Sequence, residues 1–128
     1  MDESRFEIAV DTIDPAAVPK RTTTIILGDV PQNSGNPVAC LQDQPRDMSA
    51  CTTPRLEPDD RTIESALRAG AEASGAMFGT LYDSICTYDP CPLVHDDVLV
   101  WRDRSHVTAT FSGHLTPTIR SLIGEALQ

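Results

Sequence analysis

Four cysteines, at positions 40, 51, 86 and 91, restrict what this chain can fold into more than any other feature. They permit three connectivities. The local one, Cys40 with Cys51 and Cys86 with Cys91, is expected because each pair closes a short loop of proline and polar residues. Each bridge would contribute about 2 to 3 kcal/mol, chiefly by restricting the unfolded chain. The Cys-x-x-Cys spacing of zinc ribbons and redox motifs is absent, so no metal and no cofactor is expected. Disulfides imply an oxidising, extracytoplasmic compartment.

A chain of 128 residues forms one modest domain, burying roughly two-thirds of its unfolded surface if all of it packs. Ten prolines and few aromatics point to long irregular stretches between the packed elements. The formal charge of -9, with 19 acidic against 10 basic residues, repels phosphate backbones and anionic lipid, which argues against nucleic-acid binding. No run reaches the ~18 apolar residues of a membrane span. The acidic start Met1-Asp2-Glu3-Ser4-Arg5 is unlike a signal peptide. The expectation is therefore of an exported segment whose leader or anchor lies elsewhere.

In chain order, Arg5 to Val10 reads as the end of a short helix, interrupted by Asp14-Pro15 and Val18-Pro19. Thr22 to Leu27 is β-branched and continuous, as a strand buried on both faces would be. Gln32 to Pro58 reads as a long loop stapled by Cys40 and Cys51. Pro58 to Ser74 predicts a helix with proline at its start, Asp59 and Asp60 in its first turn and Gly75 ending it. Ala76 to Tyr82 predicts the next strand, and strand, helix, strand in this order is a βαβ unit. Val98 to Trp101 predicts a brief further strand. The C-terminal helix is expected from Ser105 or His106 to Leu127, kinked or divided at Pro117.

Between that last strand and that helix stands Trp101-Arg102-Asp103-Arg104-Ser105-His106. An acid three residues before a histidine, at a turn between rigid elements, can place a carboxylate beside imidazole Nδ1 while Nε2 faces a cleft. This is the orienting acid and the base of a hydrolytic triad. The plainer reading is a surface turn in which Asp103 caps the following helix.

The run Cys86-Thr87-Tyr88-Asp89-Pro90-Cys91-Pro92, then Val98-Leu99-Val100-Trp101-Arg102-Asp103, then His106-Val107-Thr108, resembles the C-terminal end of the SGNH-type domain fused to membrane acyltransferases of the acyltransferase-3 family. Upstream, Thr24-Ile25-Ile26-Leu27-Gly28-Asp29-Val30-Pro31, Cys40 and Cys51 are similar to the middle of that domain. The likeness covers about Arg21 to the C-terminus. It implies an α/β fold, a partial three-layer α/β/α of the flavodoxin-like SGNH hydrolase type, with parallel strands, stapled loops and a C-terminal helix. It also implies that Asp103 and His106 are the acid and base of a Ser-His-Asp triad.

The opening Gly-Asp-Ser of such domains is absent; the nearest string is Gly28-Asp29-Val30, where Val30 has no nucleophilic oxygen. The resemblance thus implies the C-terminal portion of a catalytic domain, inactive alone. Its partners would be an upstream SGNH segment and a membrane acyltransferase domain. Its substrates would be O-acyl groups of cell-envelope polysaccharide or surface glycan, handled in the periplasm or at the outer face of the cytoplasmic membrane. The alternative is a non-catalytic glycan-binding accessory module or an inactive fragment.

Other polar residues are read more plainly. Asn33 and Asn36 could donate to an oxyanion or a sugar hydroxyl, but a loop asparagine usually satisfies a turn. Asp83, at the carboxyl end of a strand, could assist a site or cap the next turn. Trp101 is expected to pack under the loop of Asp103, with Arg102 beside the acid. His95 is expected in a solvated turn and His114 on a helix surface.

Overall fold

The computed structural model describes residues 22–128, and the helix expected at Arg5 to Val10 lies outside them. In chain order the elements are β1 (Ile25–Leu27), α1 (Pro37–Asp43), α2 (Thr62–Ser74), β2 (Met77–Gly79), α3 (Tyr82–Ile85), β3 (Val94–His95), β4 (Val98–Leu99), α4 (Ala109–Ser112) and α5 (Thr116–Ala126). Turns of 3-10 type lie at Met48–Cys51, Pro58–Asp60 and Gly113–Leu115. The described chain divides into two compact units: residues 22–29, 56–80 and 119–128, and residues 30–55 and 81–118.

The first unit is the expected βαβ arrangement in small. β1 and β2 pair in parallel, Ile25 with Met77, Ile26 with Phe78 and Leu27 with Gly79. Gly28 N–H extends the ladder by donating to Gly79 O at 2.8 Å. Parallel strands need a long crossover, and α2 supplies the helix on this one. Its last turn closes as expected. Gly75 takes the left-handed conformation (φ 76°), its N–H donates to Glu72 O, and Ala76 N–H reaches back to Ala71 O.

The helix starts later than its proline suggests. Arg61, at φ −91° and ψ 77°, separates the Pro58–Asp60 turn from α2. Its guanidinium is occupied, with Nε donating to Leu56 O at 3.0 Å and Nη1 to Glu64 Oε2 at 3.4 Å. Gly79 is closely approached by a side chain of the C-terminal helix. A Cβ there would stand 2.7 Å from Leu122 Cδ1, inside van der Waals contact.

Two expectations for this unit are corrected. The strand of Thr22 to Leu27 is not buried on both faces: Ile25 and Ile26 are half-buried and Leu27 is 40% exposed. Among the described residues the parallel sheet has two strands, and burial on both faces of a strand needs helices packed above and below the sheet. The strand expected to reach Tyr82 ends at Gly79, because Tyr82 begins α3.

The second unit carries both disulfides, Cys40–Cys51 and Cys86–Cys91, as expected. The stretch read as a long loop contains α1. Asn36 caps it by accepting from Val38 N at 3.0 Å and Ala39 N at 3.2 Å, and Pro37 sits at the first helical position, where its missing N–H costs nothing. The strand expected at Val98 to Trp101 is shorter and does not join the parallel sheet. β4 pairs antiparallel with β3, Val94 with Leu99 and His95 with Val98, across a two-residue turn in which Asp96 (φ 48°) and Asp97 (φ 61°) are both left-handed. Those angles match the turn type whose twist suits a hairpin.

The C-terminal helix starts at Ala109, after Thr108, whose Oγ1 accepts from Phe111 N at 3.1 Å. It is divided, as proline predicts: α4, a 3-10 turn, then α5 with Pro117 in its first turn. The core of this unit is Ile85, Cys86, Cys91, Leu93, Val100, Trp101, Phe111 and Leu115, each under a twentieth exposed. Among the described residues, no helix is long and apolar enough to cross a membrane.

Candidate active site

Trp101 and Val107 form an antiparallel bridge, and Arg102 N–H donates to His106 O at 2.8 Å. The backbone from 102 to 106 is thereby pinched into a tight excursion. Its base is anchored because Trp101 is fully buried. Thr108 secures the exit: its N–H donates to Val100 O at 2.8 Å and its Oγ1 to Leu99 O at 2.6 Å.

On this excursion the carboxylate of Asp103 meets the imidazole of His106. Nδ1 lies 2.8 Å from Oδ1 and 3.1 Å from Oδ2. Ser105 N–H donates to the same Oδ1 at 3.0 Å, folding the acid back along its own turn. That amide, and then the hydrogen bond to His106, hold the Asp103 carboxyl below its ordinary value. Asp103 therefore stays ionised and keeps accepting from the ring.

With Nδ1 committed to the carboxylate, the neutral ring keeps its proton there, and the lone pair of Nε2 is the basic site. The His106 side chain is 59% exposed. Among the described residues, the hydroxyl placed on the pair is Ser105 Oγ, 3.3 Å from Nδ1. It shares the nitrogen that the acid already holds, so it is not positioned as a nucleophile for Nε2. Asp103 caps no helix here, since that position belongs to Thr108.

A second contact fixes the turn from outside. Asn33, only 3% exposed, donates its backbone N–H (2.9 Å) and its Nδ2 (3.3 Å) to Arg104 O, and Arg104 Nε donates to Asn33 O at 3.0 Å. No local sequence pattern records this contact, because the partners are 71 positions apart. Asn33 thus positions the excursion; its amide is spent on a carbonyl.

The remaining candidates go elsewhere. Asn36 is the cap of α1. Asp83 lies in the first turn of α3 and pairs with Arg55, whose guanidinium also donates to Cys86 O and lies over the Tyr82 ring at 5.4 Å. Arg102 is an exposed neighbour of the acid, Nε to Oδ2 3.7 Å. Gly28-Asp29-Val30 follows β1 as a strand exit. His95 lies in β3, not in a free turn, and its ring meets those of Phe111 and His114 edge-on. His114 lies in the 3-10 turn after α4.

No protein-family model, curated protein or solved structure matches this chain.

Proposed function

We propose that the chain supplies the acid and base of an SGNH-type acyl-transfer or esterase centre, with Asp103 as orienting acid and His106 as general base. The observation that carries this reading is the two-oxygen contact of the Asp103 carboxylate on Nδ1, which leaves Nε2 as the basic nitrogen on a half-exposed ring. In that role Nε2 takes the proton of an attacking hydroxyl and returns it to the leaving group, while Asp103 stabilises the imidazolium formed in between.

The nucleophilic serine and the oxyanion donors then come from an SGNH segment beyond these residues, within a partial three-layer α/β/α domain of which β1, α2 and β2 are one βαβ portion. The substrate class is O-acyl ester on cell-envelope polysaccharide or surface glycan, handled with a membrane acyltransferase domain as partner. The two disulfides are consistent with such an extracytoplasmic setting.

The test is hydrolysis of p-nitrophenyl acetate by the chain alone and by the chain extended with a segment bearing Gly-Asp-Ser. Activity beyond that of free imidazole is expected only in the extended form. His106→Ala is expected to lower it by about 10³-fold or more. Extended protein whose rate is indifferent to His106→Ala overturns the assignment.

A second reading, a non-catalytic glycan-binding module, is favoured by one observation. Tyr88 is 59% exposed beside Met48, Thr52, Pro90 and Val94 in a shallow groove between the two disulfide loops, and an exposed aromatic face of that kind suits a sugar ring. Glycan binding lost in Tyr88→Ala and unchanged in His106→Ala would select it.

A further inference from the structure

Outside the Asp103–His106 pair, the second unit gathers its other two histidines and an aspartate at the tip of the β3–β4 hairpin. One potential ligand atom from each of His95, Asp96 and His114 lies within 4.8 Å of the others. Neighbouring residues of an extended strand point to opposite faces. Here the left-handed backbone at Asp96 turns its carboxylate back toward the preceding residue, and Oδ2 comes to 3.3 Å from His95 Nε2. The hairpin spends two non-glycine left-handed residues on this turn, where Asn-Gly is the favoured pair.

The two imidazoles are held from one side by a single buried ring. Phe111, 2% exposed, stacks on His114 with centroids 5.7 Å apart and planes 8° from parallel, and meets His95 edge-on at 6.0 Å. The imidazoles stand 5.6 Å apart, also edge-on.

We propose that His95, Asp96 and His114 form a surface site for a divalent transition-metal ion of the zinc class. Bonds of about 2.0–2.1 Å in tetrahedral geometry separate ligand atoms by roughly 3.3 Å. The His95–Asp96 edge already has that length. The His114 edges, no longer than 4.8 Å, would shorten to that length by rotation of the exposed His114 side chain. Two imidazole nitrogens and one carboxylate oxygen suit zinc, nickel or copper. Calcium and magnesium call for all-oxygen shells. The carboxylate offsets part of the ion's charge, and the strongly negative chain draws cations toward it. Three protein ligands leave the fourth position open to water or to an anionic group.

Such an ion would tie the tip of β3–β4 to the turn after α4, the two elements that flank the excursion carrying Asp103 and His106 in sequence. The site stands independently of the catalytic reading, since none of its ligands belongs to that pair.

Titration calorimetry with Zn²⁺ on the full oxidised chain tests the assignment, with Mg²⁺ and Ca²⁺ as comparison ions. One equivalent of Zn²⁺ is expected to bind, with no matching signal from the other two. His95→Gln and His114→Gln are each expected to weaken binding by at least about tenfold. Asp96→Asn is the variant that spares the fold, because asparagine suits the same left-handed turn position; it too should weaken binding. NMR should show the imidazole signals of residues 95 and 114 shifting together on Zn²⁺ addition, with unchanged dispersion in the metal-free variants. Absence of Zn²⁺ binding overturns the proposal. So does binding that survives all three substitutions, or binding lost instead in His106→Gln, which would place the ion on the other pair.

Discussion

The two units are held together by different means. The largest fully buried side chains of the described chain, Trp101, Phe111, Ile85, Val100, Pro37 and Cys86, all lie in the disulfide-bearing unit. Among the described residues of the βαβ unit the buried positions are small or polar: Gly28, Arg61, Glu64, Ala71 and Gly79. One unit rests on an aromatic and aliphatic core closed by two covalent staples. The other rests on a short backbone ladder, a buried ion pair and the close approach that Gly79 permits. The candidate catalytic pair sits on the first kind of support, where a buried tryptophan under a loop can fix an angle.

The contrast can be broken most directly at the core. Phe111→Ala is expected to destabilise the protein by about 4 kcal/mol, and Ile26→Ala on half-buried β1 by about 1 kcal/mol. Denaturant melts of both variants measure the gap, and equal losses would mean that the βαβ unit carries a core of its own. Replacing both Cys86 and Cys91 by serine should cost about 2 kcal/mol, given the short loop they close. Hydrogen exchange should show that loss concentrated in residues 81–118, with the β1–β2 ladder less affected.

The smallest expected effect is at acid pH. The carboxyl of Asp103 is depressed by the Ser105 amide and the His106 ring. A depressed carboxyl contributes stability that is present above its unfolded value and lost as pH falls through its folded one. The midpoint of the Asp103 carboxyl carbon's own acid titration should therefore lie below the ordinary value of about 3.9. A midpoint at or above that value would mean the contact does not hold in solution.

Much of this organisation was legible. The cysteine pairing followed from spacing, the βαβ order from hydrophobic pattern, and the end of α2 from Gly75. The proximity of Asp103 to His106 was foreseeable because three residues at a turn can meet without help from the rest of the chain. What escaped notice had identifiable causes. α1 was readable in Asn36-Pro37, a cap followed by a helix-starting proline, but the surrounding glycine, asparagine and proline suggested only loop. The β3–β4 hairpin was hidden because Asp96-Asp97 is not a usual turn pair. β1 was overestimated because a continuous β-branched run looks the same whether one face or two are covered. The roles of Asn33 and of the His95–His114 meeting depend on residues far off in sequence, which no local pattern records.

The Cys40–Cys51 bridge encloses a stretch, residues 42–50, that is exposed throughout. A protease that severs the polypeptide in this interval would not release a fragment, since sulfur still joins the two sides. Asn33 would remain fastened to the carbonyl of Arg104, and the acid and imidazole beside it would keep their orientation after the cut. Only reduction following cleavage would break the last covalent link between Asn33 and the turn it holds, so the oxidation state of this bridge decides whether a nicked molecule is still covalently one.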